Sequence, residues 1–305
     1  MISLKKLLSP EQKRQVIREL RQRGLCLRVA LDQVGLARAT FYRSCRSSPE
    51  TVRLQEKIRE LAWSQASFGY RRITALLRRQ GWQINPKRVY RLYRQMDLQK
   101  PVSNKGRRGL KRPAPFEPTE ASVPGQVWAV DFMEDRLVSG RKLRLLNVMD
   151  IYSRYALDSL VEHSITGELA ARHLEGLFRR FGAPRVLRRD HGPEFESKVF
   201  KRLLSAWRVQ DEPVPKGRPY DNGHLESFNG SFRDELLDAE LFHSLGETRG
   251  KVAAWLDWYN RERPHQSLGY RSPLELWQTA TPQRAPVAPL PPPSEGFLGN
   301  LNHDH

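Results

Sequence analysis

The sequence predicts a mixed-sheet α/β domain preceded by all-α helical modules. Three observations carry this. Apolar residues recur at helical spacing, broken by glycines, over roughly the first hundred residues. Three strand-like apolar runs then follow one another from Val127, and beyond them strands alternate with amphipathic helices. The charge divides at the same place: residues 1–112 hold 28 Lys+Arg against 7 Asp+Glu, whereas the rest of the 305-residue chain holds 24 against 27. A basic region joined to a near-neutral one reads as a polyanion-binding part attached to something else. Membrane roles are disfavoured, since no apolar run approaches the ~20 residues of a bilayer span and Met1–Pro10 lacks a signal-peptide core. Two cysteines, Cys26 and Cys45, are too few for a disulfide framework or a structural zinc site. They are expected to be buried small apolar residues in a reducing, cytosolic compartment.

The elements follow in order. Ser9-Pro10-Glu11 is a helix start, with cap, proline and first-turn acid, ahead of Val16, Ile17 and Leu20. Gly24 ends that helix. Leu27, Val29, Ala30, Leu31 and Val34 mark a second, Gly35-Leu36 turns the chain, and 37–43 gives a short basic helix. Helix, glycine turn and basic helix make a helix-turn-helix plan, with Arg38, Thr40 and Arg43 as candidate DNA contacts. Residues 51–98 repeat the plan, with a helix marked by Leu54, Ile58 and Leu61, a break at 68–70, and a helix from Arg71 to Arg79. Asn85-Pro86 then starts a helix whose apolar stripe is Val89, Leu92, Tyr93 and Met96. Arg71, Arg72, Lys87, Arg88, Arg91 and Arg94 lack balancing acids and read as phosphate contacts. Residues 99–125 form a basic, then Pro-rich linker.

Strands are expected at 127–133, 143–150, 155–161 and 185–188, with helices at 166–181, 197–207 and 221–237. A further helical segment occupies 246–278, with Trp255, Leu256, Trp258 and Tyr259 assigned to its core. Residues 281–305 are Pro-rich and expected to be disordered. The predicted division is therefore 1–50, 51–98, linker 99–125, α/β core 126–240, helical segment 241–280 and tail 281–305.

Three acids stand out in the core. Asp131 lies inside the apolar run 127–133, Asp190 directly follows a short strand, and Glu226 lies near the start of a helix, with 35 residues between the last two. Carboxylates held by strand ends and a helix make an oxygen-only cage suited to Mg²⁺ or Mn²⁺. Two ions so held activate an attacking oxygen and stabilise a leaving one at a phosphodiester. Lys216 and Arg218 would add cations where a DNA phosphate lies.

The chain resembles the transposases of bacterial insertion sequences with a retroviral-integrase-like core, in particular the second-frame product of the IS-three family. The resemblance rests on Phe68-Gly69-Tyr70-Arg71-Arg72-Ile73, Trp128…Asp131, Asp190…Gly192-Pro193-Glu194-Phe195, Glu226-Ser227-Phe228-Asn229 and Tyr259-Asn260…Arg263-Pro264-His265…Ser267-Leu268-Gly269. It implies a ribonuclease H-like fold, catalysis by Asp131, Asp190 and Glu226 with divalent metal, and DNA cleavage with strand transfer by a homo-oligomer on element ends. It also implies an upstream-frame partner or frameshift fusion in many members. The sequence departs from the family at Arg189, where a small polar residue is usual, and at His191, where an amide is common. Two rival readings are a DNA-binding regulator without catalysis and a ribonuclease H-like nuclease that cuts without joining.

Overall fold

The computed structural model describes residues 8–42, 48–99, 118–215 and 223–279. Arg43, Cys45, Lys216 and Arg218, most of the expected linker and the Pro-rich tail lie outside them. The chain divides into two compact units, residues 1–57 and 58–305.

In the first unit, α1 (Pro10–Gln22), α2 (Leu27–Val34) and the short α3 (Arg38–Tyr42) enclose Ile17, Ala30, Leu31 and Val34. The start of α1 is a capping box: Ser9 accepts from the Gln12 amide while Gln12 accepts from the Ser9 amide. Gly35 ends α2 in the left-handed region at φ 65°, where a side chain is strained. Two expectations fail here. Val29 is exposed, lying on the outer face of a helix only two turns long. Cys26 is also exposed, because it precedes the first turn of α2 rather than joining its apolar stripe.

Helix α4 (Pro49–Ser64) runs across the division between the units. The second unit then holds α5 (Tyr70–Arg79), α6 (Pro86–Gln95) and the α/β core together. Asn85 caps α6 through the Lys87 amide, and α6 buries Val89, Leu92 and Tyr93 as its stripe predicts. Arg79 fastens α5 to the C-terminal segment by donating to the carbonyls of Glu262 and Tyr270 and to the Glu275 carboxylate. The helical module 51–98 and the core, separated in the sequence reading, thus share one compact unit from residue 58 onward.

The sheet has five strands in the order β3-β2-β1-β4-β5: β1 Val127–Arg136, β2 Lys142–Asp150, β3 Ala156–Glu162, β4 Val186–Arg189 and β5 Gln210–Pro213. β1, β2 and β3 pair antiparallel, whereas β4 and β5 join in parallel. One face buries Trp128, Val130, Leu146 and Leu187 under α7 (Gly167–Phe181) and α8 (Lys198–Ala206). The other buries Val127, Ala129, Met133, Leu145 and Met149 under α9 (Gly223–Phe232) and α10 (Leu245–Arg261). The chain leaves α9 through a π-turn (Arg233–Leu237) and ends, within the described residues, in α11 (Pro273–Gln278). No helix of the described residues is long and apolar enough to cross a membrane.

β5 has no counterpart in the sequence reading. Its residues are Gln-Asp-Glu-Pro, and pairing rather than apolar pattern holds it. Glu212 takes the Arg188 guanidinium at 2.7 Å and both the amide and the hydroxyl of Thr119. At the opposite edge, β3 is completed by a side chain. Asn260 of α10 accepts from the Ala156 amide at 2.9 Å and donates to the Ala156 carbonyl at 2.8 Å, replacing the pairing of a missing strand. Asn260→Ala leaves two buried backbone groups unpaired and is expected to destabilise the chain by about 2–4 kcal/mol in urea unfolding. An effect below about 0.5 kcal/mol would contradict the role given to Asn260.

Candidate active site

Strand register brings the first two acids together. β1 and β4 run parallel with Ala129 opposite Arg188. Two residues further along each chain stand Asp131, still within β1, and Asp190, just past the end of β4. Asp131 shares the sheet face of Ala129 and Met133, the face covered by α9, because side chains alternate along a strand. Glu226 stands in the first turn of α9.

A row of hydrogen bonds fixes Asp131. In the pairing register, Asp131 faces Asn147 of β2 and Asn147 faces Ser159 of β3. Ser159 Oγ donates to Asn147 Oδ1 at 2.6 Å, Asn147 Nδ2 donates to Asn229 Oδ1 at 2.8 Å, and Asn229 Nδ2 donates to Asp131 Oδ2 at 2.7 Å. The other carboxylate oxygen accepts from the Phe132 amide at 2.8 Å. Asn229 is one helical turn after Glu226, so the row that orients Asp131 also sets the rotation of the helix presenting Glu226.

Asp190 is held through its main chain and its turn. Arg189, a departure from the family pattern, is 2 % exposed. It forks onto Asp211 of β5 with two bonds of 2.7 Å, and Nη1 donates to Glu196 at 2.7 Å and to the Asp190 carbonyl at 2.9 Å. Asp190 Oδ1 accepts from the Gly192 amide at 2.9 Å. A Cβ at Gly192 would stand 3.2 Å from that same oxygen and 3.3 Å from Glu194 Oε2, so a side chain there would crowd both carboxylates. Glu194 is paired with Arg144, whose guanidinium lies over the Phe132 ring at 4.1 Å.

Burial pushes the Asp131 carboxyl up to about 6, with the charges of Asp190 and Glu226 adding to the rise. Burial also raises Glu226. Among the described residues, no three acid, His or Cys side chains are gathered to the spacing of a closed metal-ligand set. The donors nevertheless fit a hard divalent cation: all are carboxylate oxygens, and repulsion among them is what such a cation relieves.

The other candidate residues fall into separate groups. Lys87, Arg91 and Arg94 are exposed on α6, with Arg88 half-buried between them. Arg71 is exposed on α5 and reaches the Tyr70 hydroxyl, while Arg94 lies over the Tyr90 ring; Tyr70 and Tyr90 are themselves 4.7 Å apart. Arg72 is directed inward instead, 5.1 Å from the Phe68 ring centre and 3.8 Å from Glu235, because Glu235 is the nearby carboxylate of the π-turn. Arg38 is exposed beside the Tyr42 ring, and Thr40 is half-buried. His265 is a packing residue edge-on to Tyr259, and burial together with the charge of Arg263 holds it down at about 2. Asn147 and Ser159 are absent from the sequence reading; the available signal was Asn147 interrupting the apolar run Leu145–Met149, whereas Ser159, next to Asp158, offers none.

The sheet, three strands antiparallel and two joined in parallel with helices on both faces, is a mixed α/β core. Integrase core domain families match residues 121–219 and 208–273, and an HTH-like domain family matches 50–106. The chain is 38% identical to the 31.7 kDa protein of insertion element IS407 of Burkholderia multivorans, over 80% of this chain and 87% of that one. It is 30% identical to transposase InsF for insertion sequence IS3A of Escherichia coli K12, over 70% and 77%. The HTLV-2 integrase catalytic core domain in complex with magnesium superposes with a TM-score of 0.41 at 18% identity, covering 52% of this chain and 99% of that one. The chain belongs to the insertion-sequence transposases with an integrase core. Its activity is polynucleotidyl transfer in DNA transposition, in a family that depends on divalent metal.

Two outcomes follow from this geometry. A carboxyl raised from 3.8 to about 6 on folding keeps its proton where the unfolded chain has lost it. Stability of the metal-free protein should therefore fall as pH rises from about 4 to about 6, by an order of 3 kcal/mol, and level off above. Asp131→Asn should remove most of that slope in melts taken across this range, leaving the part due to Glu226, and an unchanged slope would refute the assignment. Arg189→Gln strips the cation from Asp211 and Glu196, which are partly exposed, and should cost about 2–3 kcal/mol in chemical denaturation.

Proposed function

We propose that Asp131, Asp190 and Glu226 are the catalytic, metal-holding residues, taking two Mg²⁺ or Mn²⁺ ions. What supports this is that Asp190, just past β4, and Glu226 of α9 stand near enough to Asp131 of β1 for their charges to add to its raised carboxyl. Divalent ions supply activation of the attacking oxygen and stabilisation of the leaving one. The chain's own residues do the positioning. Asn229, Asn147 and Ser159 keep the Asp131 carboxylate in one orientation, and Arg189 anchors the Asp190 turn. In the first step a water oxygen bonds to phosphorus at the element end while the P–O3′ bond breaks, leaving a 3′-hydroxyl. That hydroxyl then attacks a target phosphodiester in line, so one ester bond forms as another breaks and no energy source is consumed.

In this reading the exposed cations of α5 and α6 bind the phosphates of the terminal repeats, with Arg38 and Thr40 reading DNA in the first unit. Arg43, Lys216 and Arg218 belong to the same set of DNA contacts. The work is done in the cytoplasm by a homo-oligomer, since two ends must be paired before transfer, and an upstream-frame protein or frameshift fusion supplies recognition of the ends.

The test is a cleavage-and-joining assay on labelled DNA from the flanks of the gene, with Mg²⁺ or Mn²⁺. Nicks at a defined end and joined products are expected, reduced at least about a thousandfold in Asp190→Asn, equivalent to ~4 kcal/mol of barrier. If binding occurs without nicking, the frame-fused protein should restore it. Equal rates in wild type and Asp190→Asn would overturn the assignment.

A further inference from the structure

A cation-lined cavity of about 560 Å³ opens on the flank of α9 away from Glu226. Arg72, Arg154, His224, Ser227, Ser231 and Arg263 line it. A second cavity of about 750 Å³ shares Arg154, Gly223, His224 and Ser267 with it. The helix explains the placement: at 100° per residue, 226, 229 and 233 share one stripe, whereas 224, 227 and 231 share another.

Among the described residues, cations outnumber acids around the cavity. Glu235 serves two guanidiniums, forking onto Arg263 and standing 3.8 Å from Arg72. Ser231 accepts from Arg263 at 2.9 Å, which leaves its own proton to donate elsewhere. Arg154 makes no ion pair among the described residues. Its Nη2 donates to His224 Nε2 at 3.0 Å, and its Nη1 is buried without a partner. Its backbone sits in the left-handed region at φ 63°, a conformation rare for a residue with a side chain. A half-buried guanidinium with one nitrogen unpartnered among the described residues, beside two serine hydroxyls, suits an anion with several acceptor oxygens.

We propose that this cavity is a second phosphate site, in which Arg154, with Ser227 and Ser231, takes a backbone phosphate of the DNA strand lying across the N-terminal end of α9. This rests on the reading that DNA reaches the three carboxylates. The two sites lie on opposite flanks of one helix, about 10 Å apart across its width, so a single strand crossing the helix end fills both.

Duplex binding by the full chain, without divalent metal, is measured against salt concentration. Each lost phosphate contact lowers the slope of log K on log salt by about 0.9. Arg154→Gln should lose that increment and Arg154→Lys should keep it. Ser227→Glu, at an exposed helical position that tolerates substitution, should lose at least as much by placing a negative charge at the mouth. Melting in inorganic phosphate separates the two possible sources. An unchanged slope in Arg154→Gln and Ser227→Glu overturns the proposal, and if phosphate alone raises the melting temperature in that case the cavity serves a free anion instead. If Arg154→Gln does not fold, Ser227→Glu decides alone. Unchanged slopes beside metal-dependent cleavage defeat only this proposal, whereas absence of DNA binding altogether defeats the transposase reading with it.

Discussion

The site depends on one buried polar row, Ser159–Asn147–Asn229–Asp131. A carboxylate on a buried strand face repels two neighbouring carboxylates and has lost much of its water. It stays in one orientation only if neutral donors meet it, and here a donor from α9 does so. The same bonds tie three strands to the helix that carries Glu226. Geometry of the proposed catalytic groups and integrity of the fold are therefore one problem: loosening Asn147 would turn Asp131 and rotate α9 together.

Around that row, buried ion pairs fasten elements too short or too polar to pack alone. Arg188 and Glu212 hold β5 to β4, Arg189 holds β5 and the Asp190 turn, and Arg263 with Glu235 holds the C-terminal segment to the π-turn. Such pairs add little net stability over an apolar substitute, but breaking one partner is costly. Their effect is specificity, since each pair forms only where the fold brings its partners together. Arg154 differs from these: among the described residues it has no carboxylate partner.

How much was legible from sequence follows from the same physics. β1 to β3 announce themselves because they bury one or both faces in apolar residues, and α7 and α8 because Thr166 and Ser197 cap them. The acids stood out because an aspartate inside Val127–Met133 is expensive without a purpose. β5 was illegible because its burial is paid in ion pairs rather than methyl groups. Arg72 read as a surface cation because its partner, Glu235, is distant in sequence and meets it only through the fold. Cys26 was misjudged by residue type, where one position before a helix decides exposure. Arg189 is a departure from the family pattern; in place it is the cation that Asp211 of β5, Glu196 ahead of α8 and the Asp190 carbonyl share.

The central claim is that Asp131, Asp190 and Glu226 form one divalent-metal site on this scaffold. The most direct measurement is an anomalous difference map from crystals of the full chain soaked in Mn²⁺ at neutral pH. Peaks touching the Asp131 and Asp190 carboxylates, with Glu226 within reach and both peaks absent from an Asp131→Asn crystal, are the predicted result. Manganese bound elsewhere, with the three carboxylates left apart, would contradict it.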